Sequence, residues 1–391
     1  MALLSELLIR VNAQTTPKRD RRTTPPWLAV LWINVIGGVG GRWALNRQAQ
    51  GPLSDVPTPR SAFAIHCQRT PQIAPPFARA AAKALCHLLL LAAICGLALG
   101  CSFKKLAANK LGDALAAGGS TFSSDEDAEL VKAAVPFSLK LMESLLAESP
   151  KHRGLLFATS SGFTQYAYAF VQQEADELEE KDLSAATEMR ERAGKLYLRA
   201  RNYGLRGLEV KHRGFEQALR SNPKAAIHTA SLSDVPLLYW TAASWAAAVS
   251  LAKDDPNLIA DLPLVEALID RALELDEQFD HGAIHSFLIP FEMSRPTSPG
   301  DAEARARTHF KRSVELSGGQ LAGPFVCLAE SVSVQKQNLA EFKDLLNRGL
   351  AINPDLRPEW RVVNLVMQRR ARWLLGQTED LFLEKPQTKK P

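Results

Sequence analysis

The chain has 391 residues, with 47 lysines and arginines against 42 acids, a formal charge of +5 and 46% hydrophobic residues. That is the composition of a globular chain able to bury a large core, and not of a disordered or fibrous one. The charge is uneven: the first hundred residues hold 11 basic and 3 acidic residues, leaving 36 basic and 39 acidic residues in 101–391. The basic balance belongs to the leader, and the net-acidic remainder has no basic patch interleaved with aromatics, which argues against nucleic acid as a partner.

Residues 1–78 read as an over-extended start or an unstructured leader. WLAVLWINVIGGVGG, from Trp27, is short and glycine-broken, and Gly51 to Pro76 holds six prolines with no sustained period. Residues 79–100 read as an export signal. Arg79 and Lys83 precede an apolar run from Leu85 to Leu99, and the small residue Gly100 precedes Cys101. The run is shorter than the roughly 20 apolar residues of a spanning helix. LALGC resembles a bacterial lipobox with its Leu and small positions reversed, making Cys101 the lipidated first mature residue. A core helix is the alternative for the run. Cleavage there leaves Cys327 without an intramolecular disulfide partner, as a small core residue in PFVCLA. Residues 101–124, ending in GGSTFSS, read as a tether from the membrane anchor.

From Asp125 to 383 the pattern is helical almost throughout, giving an all-α expectation, with 384–391 as a disordered tail. DEDAELVKAAVPFSLKLMESLLAES opens with acids and is interrupted by Pro136. GLLFATSSGFTQYAYAFVQQEADELEE is a second helix. A third unit runs from Ala185 to about Leu219, with a break expected near His212 because Gly204, Gly207 and Gly214 weaken it. SDVPLLYWTAASWAAAVSLAK enters through Asp234 and Pro236 and is apolar on every side, as a fully buried helix is. Pro290 is expected to break the helix in FLIPFEMSRPTSPGD, and Asp301 to cap the next one.

The C-terminal half repeats loosely. DRALELDEQF at 270, KRSVELSGGQ at 311 and NRGLAINPDL at 347 each end an amphipathic helix in a polar turn, at spacings of 41 and 36 residues. This is the period of a degenerate tetratricopeptide-like solenoid of helical pairs, with Ala242, Ala243, Ala246 and Ala247 permitting close approach.

The segments PLLYWTAASWAAAVSLAKDDPNLIADLPLVEALIDRALELDEQFDHGAIHSF, HFKRSVELSGGQLAGPFVCLAESVSVQKQNLAEFKDLLNRGLAINPD and RVVNLVMQRRARWLL together resemble the T component of TRAP transporters, over about Phe103 to Phe382. The resemblance implies a periplasmic lipoprotein with a degenerate tetratricopeptide-like fold, able to form a trimer. It also implies association with the substrate-binding P subunit of a tripartite ATP-independent periplasmic transporter. A cleft or pore through the helices would receive a small, apolar-tailed organic ligand. Ser102 after the cysteine leans toward the outer membrane under enteric-type sorting.

Several residues are cleft candidates. Tyr239, Trp240 and Trp245 share one apolar helix and serve either as core or as an aromatic ligand wall. His281 and His285 are four apart, a spacing that puts both on one helical face; the reading is polar contacts at a cleft rim, with a metal as the alternative. Phe287 follows in the same stretch. Asn364, amid RVVNLVM, needs a buried partner or a ligand. QRRARW brings Arg370 to Trp373, as a solvated face, an anion site for a carboxylated ligand or a contact with an acidic partner. No nucleophile elbow, paired catalytic carboxylates, phosphate loop or metal cluster is legible, so neither catalysis nor a cofactor is expected. The other functional reading is a solenoid adaptor lipoprotein for envelope assembly that binds protein only.

Overall fold

A computed structural model describes residues 105–116, 120–295 and 300–383, together with His87. Its contacts divide the chain into 38–110 and the remainder. Of the first unit only His87 and 105–110 are described, and both are helical. The expected leader, the signal apart from His87, the lipidation site Cys101 and the tail 384–391 lie outside the described residues. Within the expected tether, 105–116 and Ser120–Ser123 are helical; KLAANKLGDALAA is rich in residues that lose little freedom in a helix. Leu115 packs on Leu146, Leu155 and Leu156.

All regular structure among the described residues of the second unit is helical. The principal helices are α1 (Ala128–Glu148), α2 (Arg153–Ala167), α3 (Gln173–Leu178), α4 (Leu183–Glu209), α5 (Val235–Leu251), α6 (Leu262–Leu275), α7 (Ala283–Glu292), α8 (Ala302–Leu316), α9 (Gly323–Leu328), α10 (Leu339–Leu350) and α11 (Arg361–Gly376). Side-chain caps start most of the longer ones: Asp127, Asp182, Asp301 and Asn338 each accept from a backbone N–H in the first turn. Such caps satisfy donors that a helix leaves orphaned. Two π-helical turns interrupt the α pattern, Tyr168–Gln172 between α2 and α3 and Ala329–Ser333 after α9.

α5 is the central post. It is buried on every side, between α4 and α6, and its alanines 242, 243, 246 and 247 are all fully covered. The expected break in the third unit falls at 210–214, after α4 has run through both Gly204 and Gly207. Those two glycines serve contact and not flexibility. A Cβ at Gly204 would sit 2.1 Å from Thr241 Oγ1, and one at Gly207 would sit 2.6 Å from Leu237 Cδ2, both on α5. Pro136 and Pro290 each lie inside a helix that continues past them. Pro136 is on a half-exposed face, where water can take the carbonyl that proline leaves unbonded.

The three repeated segments end α6, α8 and α10, and each is followed by a partner helix: α7, α9 and α11. The array of pairs then closes, because α11 packs against α1 and reaches back to α3. The side chain of Arg361 donates to the Ser124 carbonyl at 2.7 Å, fastening the segment before α1 to the start of α11.

Candidate functional site

The aromatic candidates are core residues. Tyr239, Trp240 and Trp245 are fully covered, and Phe287 nearly so. Tyr239 meets Trp240 edge-on at 5.1 Å and Phe287 at 6.4 Å. Burial pushes the Tyr239 hydroxyl well above its ordinary range. The indole nitrogens of Trp240 and Trp245 have no hydrogen-bond partner among the described residues. This cluster packs the centre of the bundle around α5, and the pocket described below is lined by other residues.

His281 and His285 do not share a helical face. Asp280, His281 and Gly282 take φ values of 48°, 54° and 90°, so the chain turns left-handed just before α7 begins. Two non-glycine residues in that region cost about 1–3 kcal/mol each, a strain often held at functional sites. His285, inside α7, faces His309 of α8 with Nδ1 atoms 2.9 Å apart. Burial lowers both imidazoles, and His309, with the neighbouring His285 adding to the effect, falls to about 4. His281 instead stands edge-on to Trp360, ring centroids 5.0 Å apart.

The QRRARW run is mostly committed inside the protein. Arg369 makes a forked pair with Glu177 at 2.9 and 2.7 Å. Arg370 is buried and donates to Asp176 at 3.0 Å and to Glu330, while its guanidinium lies 4.3 Å from the centre of the Trp373 ring. Burial would lower Arg370, but Glu330 and Asp176 outweigh it and hold the guanidinium above its ordinary value. Glu330 is pushed up by burial further than Arg370 pulls it down. The two π turns frame this cluster: Glu330 lies within the second, and Gln172, at the end of the first, accepts from Tyr197 Oη at 2.7 Å. Asp176 is shared with Arg190 at 2.9 Å.

An open pocket of about 540 Å³ lies where the turns of the last three pairs come together. His281 supplies one wall, the end of α8 and the turn after it, from Glu315 to Gln320, another, and Leu356, Arg357 and Trp360 the third. Trp360 is 2% exposed, and the Arg357 guanidinium stands 5.2 Å over its ring. Asn364 buttresses this edge from behind, its amide donating to the Gln320 carbonyl at 3.0 Å and accepting from the Ala322 N–H at 2.9 Å. Asn364 therefore has the buried partners its setting demands. Of the cleft candidates His281 alone lines the pocket, and sequence reasoning missed Trp360 and Arg357. The signal that could have found them is the alignment of the repeats: DEQFDH, SGGQ and NPDLRPEW are the corresponding turns of stacked units, and stacked turns form a shared edge.

The chemistry available at this edge is recognition: cationic, hydrogen-bonding and apolar groups. Among the described residues no three His, Cys, Asp or Glu side chains gather as metal ligands, and no helix is long and apolar enough to cross a membrane.

A family model described as TRAP transporter T-component matches residues 124–382, which is the helical domain almost end to end. An uncharacterized protein of Treponema pallidum (strain Nichols) is 31% identical over 310 residues, covering 75% of this chain and 96% of its own length.

Proposed function

Because the chain belongs to the TRAP transporter T-component family, we propose that it is the lipid-anchored periplasmic accessory subunit of a tripartite ATP-independent transporter, docking its substrate-binding P subunit. The family is one of transport accessory proteins, so the work is association and hand-over of a ligand with no bond made or broken. The observation that carries the reading is the match over residues 124–382, which spans α1 to α11. Cys101 as lipidated first residue, the outer membrane as its home and a homotrimer as its assembly belong to the same reading. The ligand, a small organic molecule with an apolar or carboxylated part, has less room in the aromatic centre than the sequence suggests, since those rings are packed against one another.

The direct test is co-purification of the tagged chain with the P subunit encoded beside it, and capture of no such protein would overturn the reading. Cys101→Ser is expected to abolish labelling by radioactive palmitate and to release the chain from membranes; a variant that stays membrane-bound and labelled refutes the anchor. The adaptor reading keeps one observation of its own. On α1, Leu130 and Phe137 are 58% and 74% exposed, seven residues apart on one face, which suits a protein surface better than a small ligand.

A further inference from the structure

We propose that the pocket between the turns of the last three helical pairs binds a small organic anion with a short apolar body, its oxygens on Arg357 and its apolar part on Trp360 and Leu356. The proposal rests on the reading that the chain holds a small ligand, names that ligand's class, and moves it from the aromatic interior to this edge. It does not depend on which transporter is served.

Four observations carry it. The volume, about 540 Å³, falls within the range of small-molecule sites. The lining has donors whose acceptors are weak or missing. Among the described residues Arg357 pairs ionically with Glu359 alone, at 3.3 Å, where both side chains are exposed and such a pair is weak. The Trp360 indole N–H is buried without a hydrogen-bond partner among the described residues, and its ring lies beneath the Arg357 guanidinium on the pocket wall.

The carboxylates nearby do not cancel this donor excess. Glu315 is engaged by Arg312 at 2.8 Å. Asp280, next to His281, has its carboxyl pushed well above the usual range by burial and is not one of the residues lining the pocket. The apolar side is equally defined: Leu356 is 64% exposed at the rim, beside a tryptophan that is almost wholly covered. A cationic ligand is disfavoured, because the Arg357 guanidinium already occupies the position over the indole face. Finally, the left-handed backbone at Asp280 and His281 is what sets the His281 ring edge-on to Trp360, so strained chain forms one wall of the pocket.

The test uses the full-length chain carrying fluorine-labelled tryptophan, with the Trp360 resonance assigned through Trp360→Phe. It is titrated with sodium hexanoate and, separately, with hexylammonium chloride. Hexanoate is expected to shift the Trp360 resonance saturably and hexylammonium to leave it in place. Arg357→Gln, at an exposed position, is expected to weaken hexanoate by roughly tenfold or more through loss of a charge-assisted contact. Lys343→Gln, an exposed change of equal charge elsewhere, is expected to leave the titration unchanged. No shift at Trp360, equal shifts with both probes, or wild-type titration of Arg357→Gln would each overturn the proposal. Hexanoate binding without P-subunit capture would leave the pocket standing and remove the transporter role, and the reverse result would do the opposite.

Discussion

Replacing Arg370 with leucine tests how the closed array is held together. The side chain is buried and bridges Asp176 of α3 and Glu330 of the second π turn. Asp176 keeps Arg190, at 2.9 Å, so most of the damage falls on Glu330, which loses its guanidinium partner while staying 9% exposed. Removing one partner of a buried pair costs about 3–5 kcal/mol. For a domain of this size that corresponds to a fall in Tm of roughly 6–20 °C. The loss should depend on pH. Without Arg370, the folded state holds the Glu330 carboxyl still further above its unfolded value. A raised carboxyl stabilises the fold below the unfolded pKa, and that contribution is lost as pH rises, by up to about 1.4 kcal/mol per unit. Thermal melts of both chains followed by circular dichroism from about pH 5 to 8 should therefore diverge with rising pH. The double variant Arg370→Leu/Glu330→Leu should recover much of the loss, because no uncompensated charge remains. A single variant that melts within about 2 °C of the parent at every pH, well under the smallest expected fall, would refute the reasoning.

Two glycines on α4 should respond to alanine with opposite signs. Gly204→Ala drives a Cβ into Thr241 and is expected to lower stability by about 1–3 kcal/mol in urea melts, whereas Gly194, with nothing within 4 Å, should gain about 0.5–1 kcal/mol. His309, lowered to about 4, contributes stability above the unfolded histidine pKa that is lost as pH falls. His309→Gln should flatten the stability profile between about pH 4 and 6.5, and an unchanged slope there would exclude that role. Asp234 is fully buried and held below the usual carboxylate range; burial opposes this, but the Ser231 N–H, Lys211 and His212 prevail. Asp234→Asn should remove the part of the acid-induced loss below about pH 4 that this carboxylate supplies, read by melts against the parent.

Much of this fold is local information, and that part was legible. The amphipathic endings at 270, 311 and 347 mark α6, α8 and α10, Asp301 caps as its spacing suggests, and the all-round apolar character of residues 236–252 marks α5 as central. What was not legible depends on partners distant in sequence or on backbone angles that composition does not encode. The basic face of α11 reads as solvated because Asp176 and Glu177 stand more than 190 residues earlier. The pairing of His281 with His285 fails because Asp280 and His281 adopt positive φ without being glycine. Gly204 reads as a helix breaker until Thr241 is placed against it. At the pocket, Trp360 sits in a short turn, Pro358–Trp360, that carries no periodic signal of its own.

The two π turns have a consequence for how this sequence can vary. Each acts as one residue inserted into an α-helix, and deleting one would restore the α pattern and swing everything after it through about 100°. Loss of the first would aim Asp176 away from Arg370, and loss of the second would alter the phase of Glu330 and of the chain beyond it. The two insertions lie about 160 residues apart on unrelated helices, yet one guanidinium reads both. A length change in either helix therefore cannot drift by itself, and viable lineages should keep both extra residues or shed both along with the arginine.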